Sequence, residues 1–328
     1  MRVTLLSEAA IRELVEPADA IDAVRASFVS LAEGRVTMPA PSEMYFEEAQ
    51  GDIHVKGAFL HGASYFSYKA ASGFYDNPRL GLPTNAGLVL VFDARTGFPT
   101  AVLLDNGYLT DLRTGAAGAV AADLLARRDV DKVAVLGAGV QARRQLELLT
   151  AVRSPALVEV WARRAEQAEE YAGEMAERLG LVVRVAPEPR AAVEGAAIVV
   201  TTTPSREPLV HGAWLGPGQH VTAVGADVPE KQELAPDVFA RVDKIVVDSR
   251  AQALRSGDTQ GAVAAGVITV DDLHAELGEI AAGLRPGRED DDEITLADLT
   301  GLGAQDAAMA NLVTERALAA GLGRAIEI

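Results

Sequence analysis

The feature that most constrains the fold is a glycine-rich stretch, KVAVLGAGVQARRQLELL, at residues 132–149. It begins as a short apolar strand, turns at two glycines and continues as a helix. In such a loop Gly137 makes the turn, Gly139 lets the backbone approach a pyrophosphate, and the small Ala142 lets the helix pack close to the sheet. The stretch therefore predicts a dinucleotide-binding loop. The alternative is a tight turn of purely structural purpose.

Downstream of residue 132, apolar strands alternate with helical stretches. The strands are KVAVL, LVEVW, LVVRVA, AAIVVTT, HVTAVG and KIVVDS. This alternation predicts a parallel sheet that is covered on both faces by helices. We therefore predict an α/β fold class, with a doubly wound Rossmann sheet in a domain of residues 113–303.

The N-terminal part of the chain has a different pattern. Two helical segments are followed, from about residue 42 to 105, by short β-rich runs that predict a mostly antiparallel sheet. We assign residues 1–112 to this α+β domain and expect a C-terminal helix, about residues 304–328, to pack back on it. The apolar edge material of residues 42–105 exceeds what two short helices can cover, so we predict a homodimer built through this domain.

Charge and composition exclude several classes of function. The 328-residue chain has a formal net charge of −17 at pH 7, which argues against nucleic acid and against anionic membranes as partners. It has no cysteine, and its five histidines show no ligand spacing, so we expect no disulfide and no metal site. No signal peptide and no long apolar run are recognisable. We therefore expect a cytoplasmic protein.

The end of the second Rossmann strand, VWARRAEQ, indicates which nicotinamide cofactor the loop would bind. NAD sites commonly place an acidic residue there for the ribose hydroxyls, whereas this chain has Ala162. Arg163 and Arg164 follow and could attract a 2′-phosphate. We therefore predict that NADP(H) is favoured over NAD(H). The alternative is two exposed arginines at a helix start.

Four stretches of the chain carry a family resemblance: YKAASGFYDNPRLGLPTNAG, LDNGYLTDLRTGAAGAVAA, VLGAGVQARRQL and VGADVPEKQEL. In order and spacing they resemble the ornithine cyclodeaminase/μ-crystallin family, and most of all its ectoine-utilisation branch. The resemblance implies an N-terminal substrate-binding and dimerisation domain, a C-terminal Rossmann domain, and imine chemistry on α-amino acids. Members include ornithine and lysine cyclodeaminases, alanine dehydrogenases and ketimine reductases.

The resemblance also implies roles for individual residues. Lys69 matches the family's substrate lysine, Arg113 its arginine after LT, and Asp227 its catalytic aspartate. Besides the glycine loop, the implied cofactor contacts are Thr84, Arg113, Val140, Gln141, Thr203, Thr222, Val224, Gly225, Lys231, Leu299 and Gly301. Thr300 is implied as a substrate contact.

One departure from the family pattern concerns the substrate carboxylate. Many members place an arginine in a P-x-R stretch to bind it, whereas this chain has MPAPSEM. Ornithine as the substrate is therefore not implied. Lys56 is a candidate replacement for the missing arginine, although a lysine on a strand can also be simply exposed.

Elementary electrostatics bears on the three central residues. Arg113 is expected in the first turn of a helix, where the helix dipole disfavours a cation and an anionic partner would compensate. The alternative is a salt bridge, for example to Asp111.

Asp227 follows a predicted buried strand at its carboxyl end, where α/β sheets bind ligands. Its carboxylate can exchange a proton with a substrate nitrogen. The alternative is a helix cap. Lys69 can hold a carboxylate or polarise an imine; the alternative is a surface lysine.

Taken together, the sequence predicts a nicotinamide-dependent enzyme that interconverts an α-amino acid and its imino acid by hydride transfer. As a cyclodeaminase it would release ammonia and return the hydride to a cyclic imine, whereas as an imine reductase it would consume the reduced cofactor. The alternative is a crystallin-like protein that binds NADPH or a small ligand without turnover.

Overall fold

The computed structural model describes residues 2–327, apart from the side chain of Pro78. The chain divides into two compact units. Unit 1 contains the residues up to Arg113 and from Leu302 onward, and unit 2 is Thr114–Gly301. Within residues 2–327, every helix is too short or too polar to span a lipid bilayer.

Unit 1 is built on an eight-stranded sheet. Its strands are β1 (Arg2–Ser7), β2 (Val36–Thr37), β3 (Ser42–Phe46), β4 (Gly51–Leu60), β5 (Tyr65–Phe74), β6 (Asn85–Asp93), β7 (Pro99–Leu104) and β16 (Arg324–Glu327). The order is β16-β1-β7-β6-β5-β4-β2, with β3 paired to β4. Neighbouring strands are antiparallel except β1 and β7, which are parallel. The sheet is thus mostly antiparallel, but β1 is a strand that the sequence pattern did not predict.

The helices that belong to unit 1 are α1 (Glu8–Arg12), α2 (Pro17–Ala32) and α11 (Gly303–Ala320). α2 starts with a proline, and Glu16 and Asp19 cap it reciprocally. α11 packs against α2, β4 and β5. The helix expected over residues 304–328 is wrong at its C-terminal end. It stops at Ala320 because Gly321 adopts a left-handed φ of 65°, and the chain then pairs with β1 as β16.

Unit 2 is built on a second eight-stranded sheet that is entirely parallel. Its strands are β8 (Lys132–Leu136), β9 (Leu157–Trp161), β10 (Val183–Val185), β11 (Ile198–Thr201), β12 (His220–Ala223), β13 (Lys244–Val247), β14 (Ala275–Glu276) and β15 (Thr295–Asp298). Its helices are α4 (Val140–Leu149), α5 (Ala165–Leu179), α6 (Pro189–Val193), α7 (Pro236–Phe239), α8 (Arg250–Ala253), α9 (Asp258–Ala264) and α10 (Leu277–Ala281). The helix α3 (Tyr108–Leu125) contains the boundary between the units.

The sheet of unit 2 is buried on both faces. Alternate residues of one strand belong to different apolar clusters: Val133 and Val135 of β8 lie in one, and Ala134 and Leu136 lie in the other. The strand order β10-β9-β8-β11-β12-β15-β13-β14 reverses direction between β8 and β11. Ligands of doubly wound sheets bind beyond the carboxyl ends of the strands at such a point. The predicted α/β fold with a doubly wound parallel sheet is confirmed.

Candidate active site

The glycine loop joins β8 to α4. Gly137 has a φ of +119°, and a Cβ on it would lie 2.4 Å from the Thr202 hydroxyl oxygen, so only glycine fits there. Gly139 is the N-cap of α4, and a Cβ on it would meet no heavy atom within 4 Å. No side chain caps this helix. Open space beside the backbone and a helix start without a side-chain cap fit the pyrophosphate of a dinucleotide.

Side chains behind the loop hold it against the rest of unit 2. Ala142 is fully buried, and its carbonyl accepts a 3.1 Å hydrogen bond from the Tyr171 hydroxyl on α5. Arg143 donates from Nη1 to the Ala138 carbonyl at 2.5 Å and from Nε to Glu174 at 2.7 Å. The loop is therefore fixed from α4 and α5, while Val140 at the helix start is half exposed.

The end of β9 carries the residues predicted to select the cofactor. Ala162 is half-buried, and Arg163 and Arg164 are both exposed. Arg164 is the N-cap residue of α5, without a side-chain capping bond. Both residues follow the carboxyl end of β9, the strand next to β8, which leads into the glycine loop.

A buried carboxylate, Glu233, fixes two of the segments assigned to the cofactor. Its Oε1 accepts from the Thr203 amide at 2.5 Å and from the Thr203 hydroxyl at 2.8 Å. Its Oε2 accepts from the Thr201 hydroxyl at 2.7 Å and from the Gly225 amide at 2.8 Å. Burial raises the pKa of Glu233 to about 7, although these four bonds act to lower it. Glu233 thus ties the end of β11 to the end of β12.

Three more carboxylates are buried around Glu233. Asp258 accepts from the backbone amides of Glu233 and Leu234 at 2.7 and 2.8 Å. Asp298 accepts from the amide and hydroxyl of Thr259 at 2.7 and 2.6 Å. Burial, reinforced by neighbouring carboxylates, raises the pKa of Asp298 to about 6 and that of Asp258 well above its usual value. We call Glu233, Asp258, Asp298 and Asp248 the acid cluster.

The segment Leu299 to Gly301, which the family resemblance assigns to cofactor and substrate, is held by the acid cluster as well. Asp248 accepts from the amides of Thr300 and Gly301 at 2.9 and 2.6 Å, and from the Thr300 hydroxyl at 2.9 Å. The Leu299 amide donates to the Ala223 carbonyl of β12 at 2.9 Å. Thr222, also assigned to the cofactor, is buried and shares a 2.9 Å hydrogen bond with His220. The hydroxyls of Thr222 and Thr300 are therefore engaged inside unit 2.

Asp227 lies in the loop after β12. Its side chain is 54% exposed, and Lys231 donates to its carboxylate at 2.6 Å. The segment from Val228 to Lys231 is a turn, and the next helix, α7, begins at Pro236 with Ala235 as N-cap. The alternative role of Asp227 as a helix cap is therefore wrong. The carboxylate is accessible, and it is paired with Lys231, whose side chain is 16% exposed.

Lys69 and Arg113 come together in unit 1 around a shared carboxylate. Lys69 lies in the middle of β5, 4% exposed, with Nζ 2.9 Å from Asp306 Oδ2. Arg113 donates from Nε to Asp306 Oδ1 at 3.0 Å and from Nη1 to Gln305 Oε1 at 3.3 Å. Burial, with Arg113 and Lys56 adding to it, lowers the pKa of Lys69 to about 8, while Asp306 acts to raise it. We call Lys69, Arg113 and Asp306 the cation cluster.

Two expectations about these residues are corrected. Arg113 is the sixth residue of α3 and so lies in its second turn, where the helix dipole weakens. The ion pair that was the alternative role of Arg113 is present, and Asp306 is a carboxylate partner in it. Lys69 is not a surface lysine, because α11 covers its strand.

Two other predicted ligand contacts lie in unit 1 and are less buried than the cation cluster. Lys56 on β4 is half-buried and is the cross-strand partner of Lys69. Thr84 is also half-buried, and its carbonyl accepts from the Phe74 amide at 2.8 Å. Among residues 2–327, no group of three or more His, Asp or Glu side chains is arranged to hold a metal ion.

Sequence reasoning missed the buried acids Asp306, Glu233, Asp258, Asp298 and Asp248. Acidic residues are usually exposed, so their type alone predicted a surface position. Glu233 lies two residues after Lys231 within a motif that had been singled out, which was the one available signal. Asp306 is 193 residues from Arg113, and no local pattern connects them.

Known proteins resemble this chain over its whole length. An archaeal alanine dehydrogenase dimer with bound NAD is 39% identical, covers 100% of both chains and has a TM-score of 0.94. Δ1-pyrroline-2-carboxylate reductase of Thermococcus litoralis, in complex with NADH and L-proline, is 34% identical with a TM-score of 0.94, covering 98% of this chain and 99% of that one. Iminosuccinate reductase of Paracoccus denitrificans, in complex with NAD⁺, is 32% identical, covers 100% of both and has a TM-score of 0.92.

These relatives are dehydrogenases and reductases, which confirms the prediction of a nicotinamide-dependent enzyme over a non-enzymatic binding protein. Membership of the ectoine-utilisation branch stays a prediction. The profile of the ornithine cyclodeaminase/mu-crystallin family matches residues 1–321. The chain therefore belongs to the ornithine cyclodeaminase/mu-crystallin family.

Proposed function

We propose that this enzyme interconverts an α-amino acid and its imino acid, and that Lys69 and Arg113 bind the substrate carboxylate. The observation that carries the proposal is a pair of buried cations in unit 1 that share one carboxylate. Lys69 and Arg113, 4% and 6% exposed, share the carboxylate of Asp306. A buried charge is stable only when it is compensated, so a substrate carboxylate would complete the cluster. Alanine, pyrroline-2-carboxylate and iminosuccinate, after which the three relatives are named, all carry such a group.

We propose Asp227 as the residue that exchanges a proton with the substrate nitrogen. An iminium accepts hydride far better than a neutral imine, so a nearby carboxylate that keeps the nitrogen protonated favours reduction. In the oxidative direction the same carboxylate accepts a proton from the ammonium group. Asp227 suits both roles because its side chain is accessible. A nicotinamide dinucleotide held at the glycine loop, by Gly137, Gly139 and the start of α4, would supply the hydride chemistry at the substrate Cα.

The experiment that tests the activity is a panel of cyclic and acyclic imino acids and their amino acids, assayed with NADPH and with NADH. Net oxidation of the reduced cofactor by an imino acid identifies a reductase. Ammonia release from a diamino acid without net cofactor consumption identifies a cyclodeaminase. Tight cofactor binding without turnover of any member of the panel contradicts the proposal.

The role of Asp227 is tested with Asp227→Asn, which keeps the shape of the side chain but removes its charge and basicity. Turnover is expected to fall by a factor on the order of 10² to 10⁴. Asp237→Asn, at an exposed position of the same unit, is the matched control and should behave like the parent enzyme. Near-parent turnover of Asp227→Asn would show that the proton comes from another group.

We propose that NADP(H) is preferred over NAD(H). Ala162 removes the acidic residue that would repel a 2′-phosphate, and the exposed Arg163 and Arg164 supply donors for it. The three solved relatives are described with NAD, NADH and NAD⁺, so this chain would differ from them. Arg163→Ala is expected to weaken NADPH binding by about 1.5–3 kcal/mol and to leave NADH binding unchanged. Equal affinities of the parent enzyme for both cofactors would contradict the preference.

We propose a homodimer formed through unit 1. Met44, Tyr45 and Phe46 of the short strand β3 are 55%, 59% and 42% exposed, an unusual run of large apolar side chains for a surface. The archaeal relative is described as a dimer. Light scattering at micromolar concentration should give twice the 34.4 kDa mass of the chain, and Tyr45→Glu should lower it. A parent mass near that of one chain would rule the dimer out.

A further inference from the structure

We propose that Asp306 is a positioning residue that keeps Lys69 in its ammonium form and fixes the direction of Arg113. This inference rests on the proposed function, because it concerns the two side chains that would bind the substrate carboxylate.

The geometry places one carboxylate between two cations. Asp306 Oδ2 lies 2.9 Å from Lys69 Nζ, and Asp306 Oδ1 accepts from Arg113 Nε at 3.0 Å. The Asp306 and Lys69 side chains are 3% and 5% exposed, so water screens this contact poorly. Because Asp306 uses one oxygen for each cation, it sets the distance between them as well as the charge beside them.

The start of α11 is built to hold this carboxylate. Asp306 lies in the first turn of the helix, where the helix dipole favours an anion. A Cβ on Gly303 would lie 2.7 Å from the Gly57 carbonyl oxygen, so the glycine allows α11 to start in direct contact with β4. Gln305 accepts from the Leu302 amide at 3.1 Å and from Arg113 at 3.3 Å, which ties the same turn to α3.

Charged groups from several elements face Lys69. Arg113 comes from α3, Lys56 from β4, Asp306 from α11, and Asp105 follows β7. Burial lowers the pKa of Lys69 to about 8, with Arg113 and Lys56 acting in the same direction and Asp306 opposing them. Burial acts to raise the pKa of Asp306, but Lys69 and Arg113 outweigh it and hold that pKa below its usual value. Without Asp306, Lys69 would lose its proton near neutral pH and with it the ability to attract a carboxylate.

The test measures Lys69 directly. The chain has only five lysines, so lysine labelled with ¹³C at Cε gives few NMR resonances, and Lys69→Met assigns the one of interest. In the parent enzyme this resonance should titrate near pH 8. In Asp306→Asn the proton affinity of Lys69 should fall by about 10- to 1000-fold. Glu315→Gln removes an exposed carboxylate from the same helix and should leave the titration unchanged. An unchanged titration in Asp306→Asn overturns the proposal.

A kinetic measurement separates this inference from the proposed function. If the enzyme turns over an imino acid, Asp306→Asn should raise KM more than it lowers kcat, and the pH optimum of kcat/KM should move to lower pH. Asp306→Glu, which keeps the charge, should recover most of the activity at the parent optimum. If the parent enzyme turns over no imino acid, the proposed function fails, but the lysine titration still decides the role of Asp306.

A second variant covers the case in which Asp306→Asn does not fold. Arg113 then lacks the carboxylate of Asp306, and Asp105 is the carboxylate that still faces Lys69. Lys69→Met in the same chain removes one of the two buried cations. The double variant Asp306→Asn/Lys69→Met should therefore be more soluble and more stable than Asp306→Asn. A double variant that is no better than the single one overturns the link between the two residues.

Discussion

The two units bury charge in opposite ways. In unit 1, the two cations of the cation cluster share the carboxylate of Asp306, and Asp105 is buried near Lys69. In unit 2, the carboxylates of Glu233, Asp258 and Asp298 accept hydrogen bonds from backbone amides and hydroxyls. The first arrangement pairs side chains of opposite charge, whereas the second is satisfied by backbone amides and hydroxyls of the polypeptide itself.

This difference indicates what each cluster contributes. Ion pairs between long side chains leave charge to interact with a ligand, so the cation cluster is suited to binding. Amides do not titrate and do not move independently of the backbone, so the acid cluster is suited to holding loops. Glu233 and Asp248 between them hold Thr203, Gly225 and the segment of Thr300 and Gly301.

The largest effect is expected from removing a cation. Lys69→Ala should lower kcat/KM for the best imino acid by about 30- to 4000-fold, the 2–5 kcal/mol that truncating one partner of a buried charge pair costs. Affinity for the reduced cofactor, measured by fluorescence titration, should stay within about twofold, because the glycine loop and the side chains that hold it belong to unit 2 and Lys69 belongs to unit 1. A comparable loss of cofactor affinity would mean that the cation cluster does not act on the substrate alone.

Glu233→Gln is expected to lower stability and cofactor affinity, the two quantities that belong to the acid cluster. The amide nitrogen of glutamine cannot accept, so at least one of the donors of Thr201, Thr203 and Gly225 loses its buried partner. The free energy of unfolding should fall by about 1–3 kcal/mol, and cofactor binding should weaken. Chemical denaturation measures the first quantity, with the exposed Glu207→Gln as control. Unchanged stability and unchanged cofactor affinity would show that Glu233 does not hold these loops.

The sequence predicts the parts of the molecule in which a local pattern decides the structure. The glycine loop, the alternation of strands and helices, and the parallel sheet follow from the spacing of apolar residues and glycines over short stretches. β1 was missed because Arg2–Ser7 becomes a strand only through β7 and β16, which lie far away in the chain. The length of α11 was overestimated for the same reason, since its C-terminal continuation pairs with β1.

The candidate site was predictable only in part. Lys69, Arg113 and Asp227 were found through motifs, but their surroundings depend on tertiary contacts. Whether an acidic residue is buried is decided by the donors that other elements bring to it, and composition gives no sign of them. Asp306 and Glu233 were therefore not predicted, although each contacts a residue that was predicted as part of the site.

The two clusters should also respond to pH with opposite signs. The folded state raises the pKa of Glu233 from 4.5 to about 7, so it binds a proton that the unfolded chain releases, and the associated stability is lost as pH rises through about 7. The folded state lowers the pKa of Lys69 from 10.5 to about 8, so stability is lost as pH falls through about 8 and is regained towards 10.5. Each effect is on the order of 1 kcal/mol per pH unit within its window.

Thermal unfolding of variants separates the two contributions to this pH dependence. The difference in melting temperature between the parent enzyme and Glu233→Gln should depend on pH between about 5 and 7. The difference in melting temperature between the parent enzyme and Lys69→Met should depend on pH between about 8 and 10. If both differences changed with pH in the same direction, the two clusters would not differ in the sign of their pH dependence.

The smallest effect on stability is expected at Asp227, which belongs to neither cluster. Asp227 forms an ion pair with Lys231, which stands four residues later in the chain, and the Asp227 side chain is 54% exposed. Exposed ion pairs contribute about 0–1 kcal/mol, so Asp227→Asn should leave the free energy of unfolding within about 1 kcal/mol of the parent value. Chemical denaturation with and without added salt measures this, and salt should shrink whatever difference is found. Because the same substitution is expected to lower turnover by orders of magnitude, it would separate catalysis from folding more cleanly than a change in either buried cluster. A loss of stability comparable to that of Glu233→Gln would instead make Asp227 part of the framework that holds the loop after β12.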